Sequence, residues 1–284
     1  MSLARSLAEL LSRHVTLRRR LPTELGGSRL FVTPDSALRY WLPGNRWLDP
    51  ALVGWSRELV EPGMQVWDVG ANVGVFSFLA ASLAGPAGSV LALEADPALC
   101  ALMQRAIEEG HQGAPVSVLH AAVDRELGEV HLNIARRGRS ASFVNRDHAS
   151  TQHGGSRHRI RVPARTLDSL LSDHPPPHLL KIDVEGSELN ALEGAREVLA
   201  NARPTLLCEV HAANSERVSA ILRLERYVLF DAQVPRRDRR PLERAPGETL
   251  AVPTERRTLQ GPHEPARSRA GADENADADR PALD

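Results

Sequence analysis

VWDVGANVGVFSF, residues 66–78, opens as an apolar strand, breaks at a glycine turn and resumes as an apolar helix. A second string, LLKIDVEGSELNALEG at 179–194, is another apolar strand, and its last residues include Lys181, Asp183 and Glu185. Both strands carry acids toward their C-terminal ends, so polar chemistry gathers on one edge of a sheet. In open α/β sheets that edge is where ligands bind.

Working outward from these strings, strand and helix patterns alternate, the signature of a mostly parallel sheet. Strands are expected near 65–69, 89–94, 116–120, 178–184, 204–210, 226–231 and 250–253, and helices over 49–60, 74–84, 97–109, 187–200 and 214–224. Upstream, residues 1–20 read as a weak amphipathic helix ending in Arg18, Arg19 and Arg20. The alternation over 28–42 reads as a hairpin turning at Pro34-Asp35. Two further β-like runs, 128–134 and 159–164, flank a polar loop from Arg136 to Arg159 that is either a lid or disordered. The expected organisation is an N-terminal helix and hairpin extension over 1–48 and a main domain over 49–254. A tail over 255–284 is too poor in apolar residues to offset its ordering entropy and is expected to be disordered.

The net charge of −1 gives no global field that would favour nucleic acid or a membrane surface, and no apolar run approaches the roughly 18 residues of a spanning helix. Cys100 and Cys208 sit in apolar contexts that suit a reducing, cytoplasmic compartment. All but one of the 35 basic residues are arginine. The exception is Lys181, inside the second string, which points to a specific need for an ammonium there. The run Arg236, Arg237, Arg239, Arg240 is broken by Asp238 and reads as a solvated turn.

In the turn, Gly70 permits a sharp bend and close backbone approach, Asn72 tolerates left-handed geometry and Gly74 lets the helix start near the sheet. The spacing is G-x-N-x-G, without the third glycine of a dinucleotide motif or the Lys-Ser/Thr of a phosphate loop. This favours a nucleoside ligand with no pyrophosphate. Glu94 ends the next strand, SVLALE, twenty residues past Gly74, where a carboxylate can accept both hydroxyls of a ribose.

These features together resemble the FkbM family of class I S-adenosylmethionine-dependent methyltransferases. The resemblance rests on VWDVGANVGVFS, ALEADP, HAAVDRELGEVHL, RSASF, VPARTLDSLL, HLLKIDVEGSELNALEGA and LLCEVH, with YVLFDA and LAVP as closing strands, and covers roughly 28–254. It implies a Rossmann-like, seven-stranded, mostly parallel sheet flanked by helices, with the last strand antiparallel. It also implies that Asp68, Gly70 and Asn72 lie by the methionine part of the cofactor, that Glu94 holds the ribose, and that Ala122 or Asp124 borders the adenine. The activity it implies is O-methylation of a hydroxyl on a sugar or natural product.

Methyl transfer from a sulfonium is an in-line displacement in which positioning supplies much of the acceleration. A hydroxyl acceptor must also lose its proton, which a nearby base can take. Period-two alternation puts Lys181 and Asp183 on one side of their strand, and Glu209 and His211 share a side of the neighbouring one. His211 has the intrinsic pKa of a base at neutral pH, with Glu209 or Asp183 to orient it. Lys181 is read as a base or as a buried charge partner of Asp183 or Glu209. A divalent site formed by Asp183, Glu209 and His211 is a further alternative, although no metal is expected. Ser140 and Ser142 are the expected acceptor contacts from the loop. Two rival functions stand beside the methyltransferase: an NAD(P)-dependent oxidoreductase, which the missing third glycine disfavours, and a non-catalytic cofactor-binding scaffold.

Overall fold

The computed structural model describes residues 11–135, 139, 143–145 and 156–259. An antiparallel hairpin comes first, β1 (Leu17–Arg20) against β2 (Arg29–Val32). Then follow α1 (Pro50–Leu59), β3 (Gln65–Val69), α2 (Val75–Ala84), β4 (Ser89–Glu94), α3 (Pro97–Glu108) and β5 (Val116–His120). Four strands come next, β6 (Ala122–Val123), β7 (Gly128–Ala135), β8 (Phe143–Asn145) and β9 (Ser156–Arg165). The chain continues through β10 (Leu179–Ile182), α4 (Glu188–Glu193), β11 (Thr205–Glu209), α5 (Ser215–Leu224), β12 (Tyr227–Asp231) and β13 (Glu248–Pro253).

The main sheet has seven strands in the order β12-β13-β11-β10-β3-β4-β5, parallel except for β13, which runs antiparallel to both neighbours. All four residues of β10 are buried, as expected of a central strand covered on both faces. One face packs against α2, α3 and the N-terminal hairpin through Phe78, Leu79, Met103 and Leu30. The other packs against α4 and α5 through Leu192, Val218 and Leu222. The residues beginning α1 and α3 explain why these helices start where they do. Asp49 and Asp96 each cap the helix by accepting from the backbone N–H two residues on, and each is followed by proline at the first helical position. β6, β9, β7 and β8 form a separate four-stranded sheet around Val130, Leu132 and Val162. Its two long strands correspond to the β-like runs at 128–134 and 159–164.

Several sequence expectations are corrected. Arg18, Arg19 and Arg20 lie in β1, not at a helix end; a single turn of 3-10 helix covers Ser12–His14, and residues 1–10 lie outside the described residues. The hairpin partner of β2 precedes it, because Gly26 and Gly27, at φ of +87° and +59°, reverse the chain there. Pro34-Asp35 instead forms a turn after β2, closed by Ser36 N–H donating to Thr33 O at 2.9 Å. The helix expected over 187–200 splits into α4 and a wider-wound turn at Val198–Ala202, with Gly194 between them, where an added Cβ would lie 2.5 Å from Asp124 O. At the C-terminal end the chain runs on through a 3-10 helix at Thr254–Leu259, anchored by an Arg203–Glu255 ion pair. The remainder of the expected tail, 260–284, lies outside the described residues.

Candidate active site

The turn after β3 is held against the end of β4. Gly70 and Ala71 both donate their N–H groups to Leu93 O at 2.9 Å, and Asn72 N–H donates to Glu94 Oε2 at 2.8 Å. Gly70 has φ +77°, and a Cβ there would lie 1.8 Å from Asp183 O, so this position admits only glycine. Asn72 occupies the left-handed region at φ +55°. Gly74, at φ +80°, meets Met103 of α3, whose Cγ would lie 2.9 Å from an added Cβ. Glu94 accepts a second backbone bond from Asp96 N–H at 2.8 Å. Burial pushes its pKa up to about 7 despite these two N–H donors.

Beneath this turn lies a cavity of about 260 Å³ lined by Gly70, Asn72, Glu94, Ala122, Asp183 and Glu185, among others. Arg139 lines it too, donating to Asp35 Oδ2 at 3.1 Å and pairing with Asp96. A second cavity of about 600 Å³ lies between α1, the ends of β10 and β11, and the segment following β12. Its lining includes Asp49, Trp55, Lys181, Glu248 and Arg239. Asp183 and Glu209 line both cavities and stand at their junction.

The lone lysine lines the second cavity. Lys181 is 6% exposed, with Nζ 3.1 Å from Asp183 Oδ2 and 3.4 Å from Asp68 Oδ1. Burial alone would push its ammonium down, but the charges of Asp183 and Asp68 outweigh that and hold its pKa well above the ordinary lysine value. It is therefore a charged partner of two carboxylates, one of them Asp183 as expected and the other Asp68 in place of Glu209. Asp68 is fully buried and also accepts from Ser77 Oγ at 2.6 Å. Replacing Lys181 by methionine leaves Asp68 without a cation, with an expected loss of roughly 3–5 kcal/mol of stability. Thermal unfolding should show this as a drop of about 10 °C, partly restored by adding Asp68→Asn; an unchanged midpoint would contradict the ion-pair assignment.

The carboxyl groups of Asp183 and Glu209 lie close enough to shift one another. Burial would raise Asp183, but Lys181 and the bond from Glu209 hold it below the ordinary carboxylate range. Burial and then the charge of Asp183 push Glu209 up to about 8. Glu185 follows at φ +36°, a conformation rare for any residue with a side chain, and it lines the first cavity. Burial, Asp183 and Glu188 push it up to about 7. Glu188, 1% exposed, fastens this turn by accepting from Gly186 N–H at 2.7 Å and Asn214 Nδ2 at 2.8 Å.

The structure thus brings Gly70, Asn72, Glu94, Ala122, Asp183 and Glu209 to the cavities, with Lys181 lining the second. Asp68 and Gly74 sit behind the first cavity without lining it. Asp124 is buried elsewhere, accepting from Arg125 N–H at 2.8 Å. His211 does not join Asp183 and Glu209: its exposed ring caps the 3-10 turn Ala212–Asn214 through Nδ1, 3.4 Å from Ala213 N, and lines neither cavity. Ser140 and Ser142 lie outside the described residues, as does most of the Arg136–Arg159 loop. Among the described residues no three His, Cys, Asp or Glu side chains converge on a metal-binding geometry, and no helix is long and apolar enough to cross a membrane. Arg239, expected in a solvated turn, has a side chain only 6% exposed and grips Glu58 with two hydrogen bonds. Glu248 was missed because its strand begins two residues earlier than the apolar run LAVP indicates.

A doubly wound α/β protein with a ligand cavity at the C-terminal edge of its central strands is what fold and site define. A family model described as the Methyltransferase FkbM domain matches residues 68–237, and the chain belongs to that family. A comparison with curated proteins gives no match. Among solved structures, similarity is found to the methyltransferase FkbM of Methylobacillus flagellatus, at 15% identity and TM-score 0.44, over 73% of this chain and 53% of the other. The chain thus spans about half the length of that protein. A SAM-dependent O-methyltransferase of Thermotoga maritima matches at 14% identity and TM-score 0.40, over 72% of this chain and 64% of the other. Aeropyrum pernix fibrillarin, solved with bound S-adenosyl-L-methionine, matches at 10% identity and TM-score 0.40, over 84% and 82%.

Proposed function

We propose that the protein is an S-adenosylmethionine-dependent O-methyltransferase acting on a hydroxyl of a sugar or natural-product small molecule. The observation that carries this reading is the junction: Asp183 and Glu209 line both cavities, so one carboxyl pair faces a methyl donor on one side and an acceptor on the other. The first cavity fits the donor. Asn72 Oδ1 is buried there with no hydrogen-bond partner among the described residues, ready to accept from a ligand. Glu94 keeps lone pairs beyond its two backbone bonds, enough to accept both hydroxyls of a ribose. Bound in this cavity, S-adenosylmethionine supplies a methyl group already activated by its sulfonium. The chain's own residues do the rest. Ala122 borders the adenine end, Glu94 fixes the ribose, and Asp183 takes the proton from the acceptor hydroxyl while Lys181 and Glu209 hold its carboxylate in place.

The sign of the pH dependence follows from the pair. Below about 8, Glu209 is protonated and its hydrogen bond makes Asp183 a weaker base. The groups facing Glu209 are Asp183, Glu248 and Glu185, all acidic, and they delay its ionisation. As pH rises through about 8 that proton leaves, and Asp183 becomes a stronger base. At saturating cofactor, kcat should therefore climb through this range, and Glu209→Gln, which cannot ionise, should flatten the climb. A profile unchanged by Glu209→Gln would remove Glu209 from the proton-transfer pair. The cofactor assignment is tested by calorimetric titration with S-adenosylmethionine, S-adenosylhomocysteine and NAD. Micromolar binding of the first two supports the reading, and binding of NAD alone would sink it.

A further inference from the structure

The second cavity carries more carboxylates than its cations can answer. Asp49, Glu58, Asp183, Glu209 and Glu248 line it, against Lys181 and Arg239. Each cation is already engaged: Lys181 lies between Asp183 and Asp68, and Arg239 holds Glu58 through both carboxylate oxygens. Asp49 is paired with Arg39 from outside the cavity. Glu209 lies beside Asp183, whose charge raises the cost of ionising it. Glu248 has no hydrogen bond or ion pair from its carboxylate among the described residues, and it stands directly opposite Glu209 in the antiparallel register of β11 and β13. Two acids facing each other across two strands each add to the cost of ionising the other. In an ordinary sheet that juxtaposition is unfavourable. At the wall of a cavity beside the reacting centre it is what a cationic ligand would relieve.

We propose that this cavity is the acceptor site and that it selects an acceptor carrying a protonated amine near the hydroxyl to be methylated, with Glu248 as the partner of that amine. This rests on the methyltransferase reading, which places the donor in the neighbouring cavity. Trp55 supplies an apolar surface at the cavity wall, with its indole N–H tied to Ala232 O at 3.0 Å, and Gln233 adds a neutral amide for hydroxyl groups. A phosphate or carboxylate on the acceptor would meet Glu209 and Glu248 with no free cation among the described lining residues. Burial and the charge of Asp183 push Glu248 up to about 7, so an incoming ammonium draws it into its ionised form.

The test uses the full chain at about pH 7, with and without S-adenosylhomocysteine. D-glucosamine, N-acetyl-D-glucosamine and D-glucuronic acid are titrated calorimetrically as pyranose probes that carry, respectively, an ammonium at C2, a neutral acetamide at C2, and a carboxylate at C6 with a hydroxyl at C2. Glucosamine is expected to bind about tenfold more tightly than N-acetylglucosamine, with glucuronic acid weakest. In Glu248→Gln that preference should shrink to less than about twofold, with S-adenosylhomocysteine affinity retained as the check on folding. Equal affinities, no binding of any probe, or a preference for glucuronic acid overturns the assignment. Amine preference without S-adenosylhomocysteine binding strikes the cofactor reading alone, and S-adenosylhomocysteine binding without amine preference strikes this inference alone.

Discussion

Glu94→Ala is expected to weaken S-adenosylhomocysteine binding by about 100-fold or more. Two hydroxyl bonds to a carboxylate contribute roughly 1.5–3 kcal/mol each, and about 1.4 kcal/mol is a factor of ten in affinity. The effect is larger than a simple contact loss, because the same carboxylate also accepts from Asn72 N–H and Asp96 N–H and so ties the glycine turn to the start of α3. Glu94→Gln separates the two contributions. Its amide NH2 must face one of those two backbone donors, so the turn is disturbed even though side-chain length is kept. Calorimetry on both variants, with circular dichroism to confirm the fold, checks the assignment. An affinity within threefold of the parent protein for Glu94→Ala would remove Glu94 from the cofactor site.

Asp183→Asn should lower kcat by roughly 10²–10⁴, the range general-base removal produces, while leaving S-adenosylhomocysteine affinity near its parent value. Substitution here also frees Lys181 from one of its two carboxylates, so part of any stability change comes from that altered pair and must be measured separately by thermal unfolding. The double variant Asp183→Asn, Glu209→Gln is expected to lose little more than Asp183→Asn alone, because Glu209 is proposed to act only through Asp183. Strictly additive losses would show that they act separately. His211→Ala, by contrast, should leave kcat within a few-fold, since the ring lies outside both cavities. A collapse of activity in that variant would restore the histidine as a base.

Much of the site was legible because it rests on local rules. The glycine turn is readable because only certain residues accept its left-handed φ values, and those residues are spelled out at Gly70, Asn72 and Gly74. Glu94 is readable because the end of the second strand lies a fixed distance along the chain from the turn it supports. The single lysine among 35 basic residues stood out by composition, and it proved to be a buried cation between two acids. The N-terminal hairpin was misplaced for the opposite reason. Its partner strand is basic and exposed on alternate residues, so β1 read as the end of an amphipathic helix.

By itself, then, the sequence determined the order of the main-sheet strands and the helices between them, the glycine turn after β3 and the carboxylate Glu94 at the end of β4. Those follow from periodicity, backbone restriction and capping, all properties of a few consecutive residues. Only the tertiary structure decided which acids meet. Glu209 faces Glu248 because β13 pairs antiparallel with β11 in one particular register, and a slip of one residue would turn Glu248 to the other face. His211 leaves the site because the chain turns into a 3-10 cap just after β11, and Arg239 enters the wall of the second cavity because Glu58 of α1 draws it there. Such pairings join residues far apart in the chain, and the packing of the whole sheet against α1 sets them.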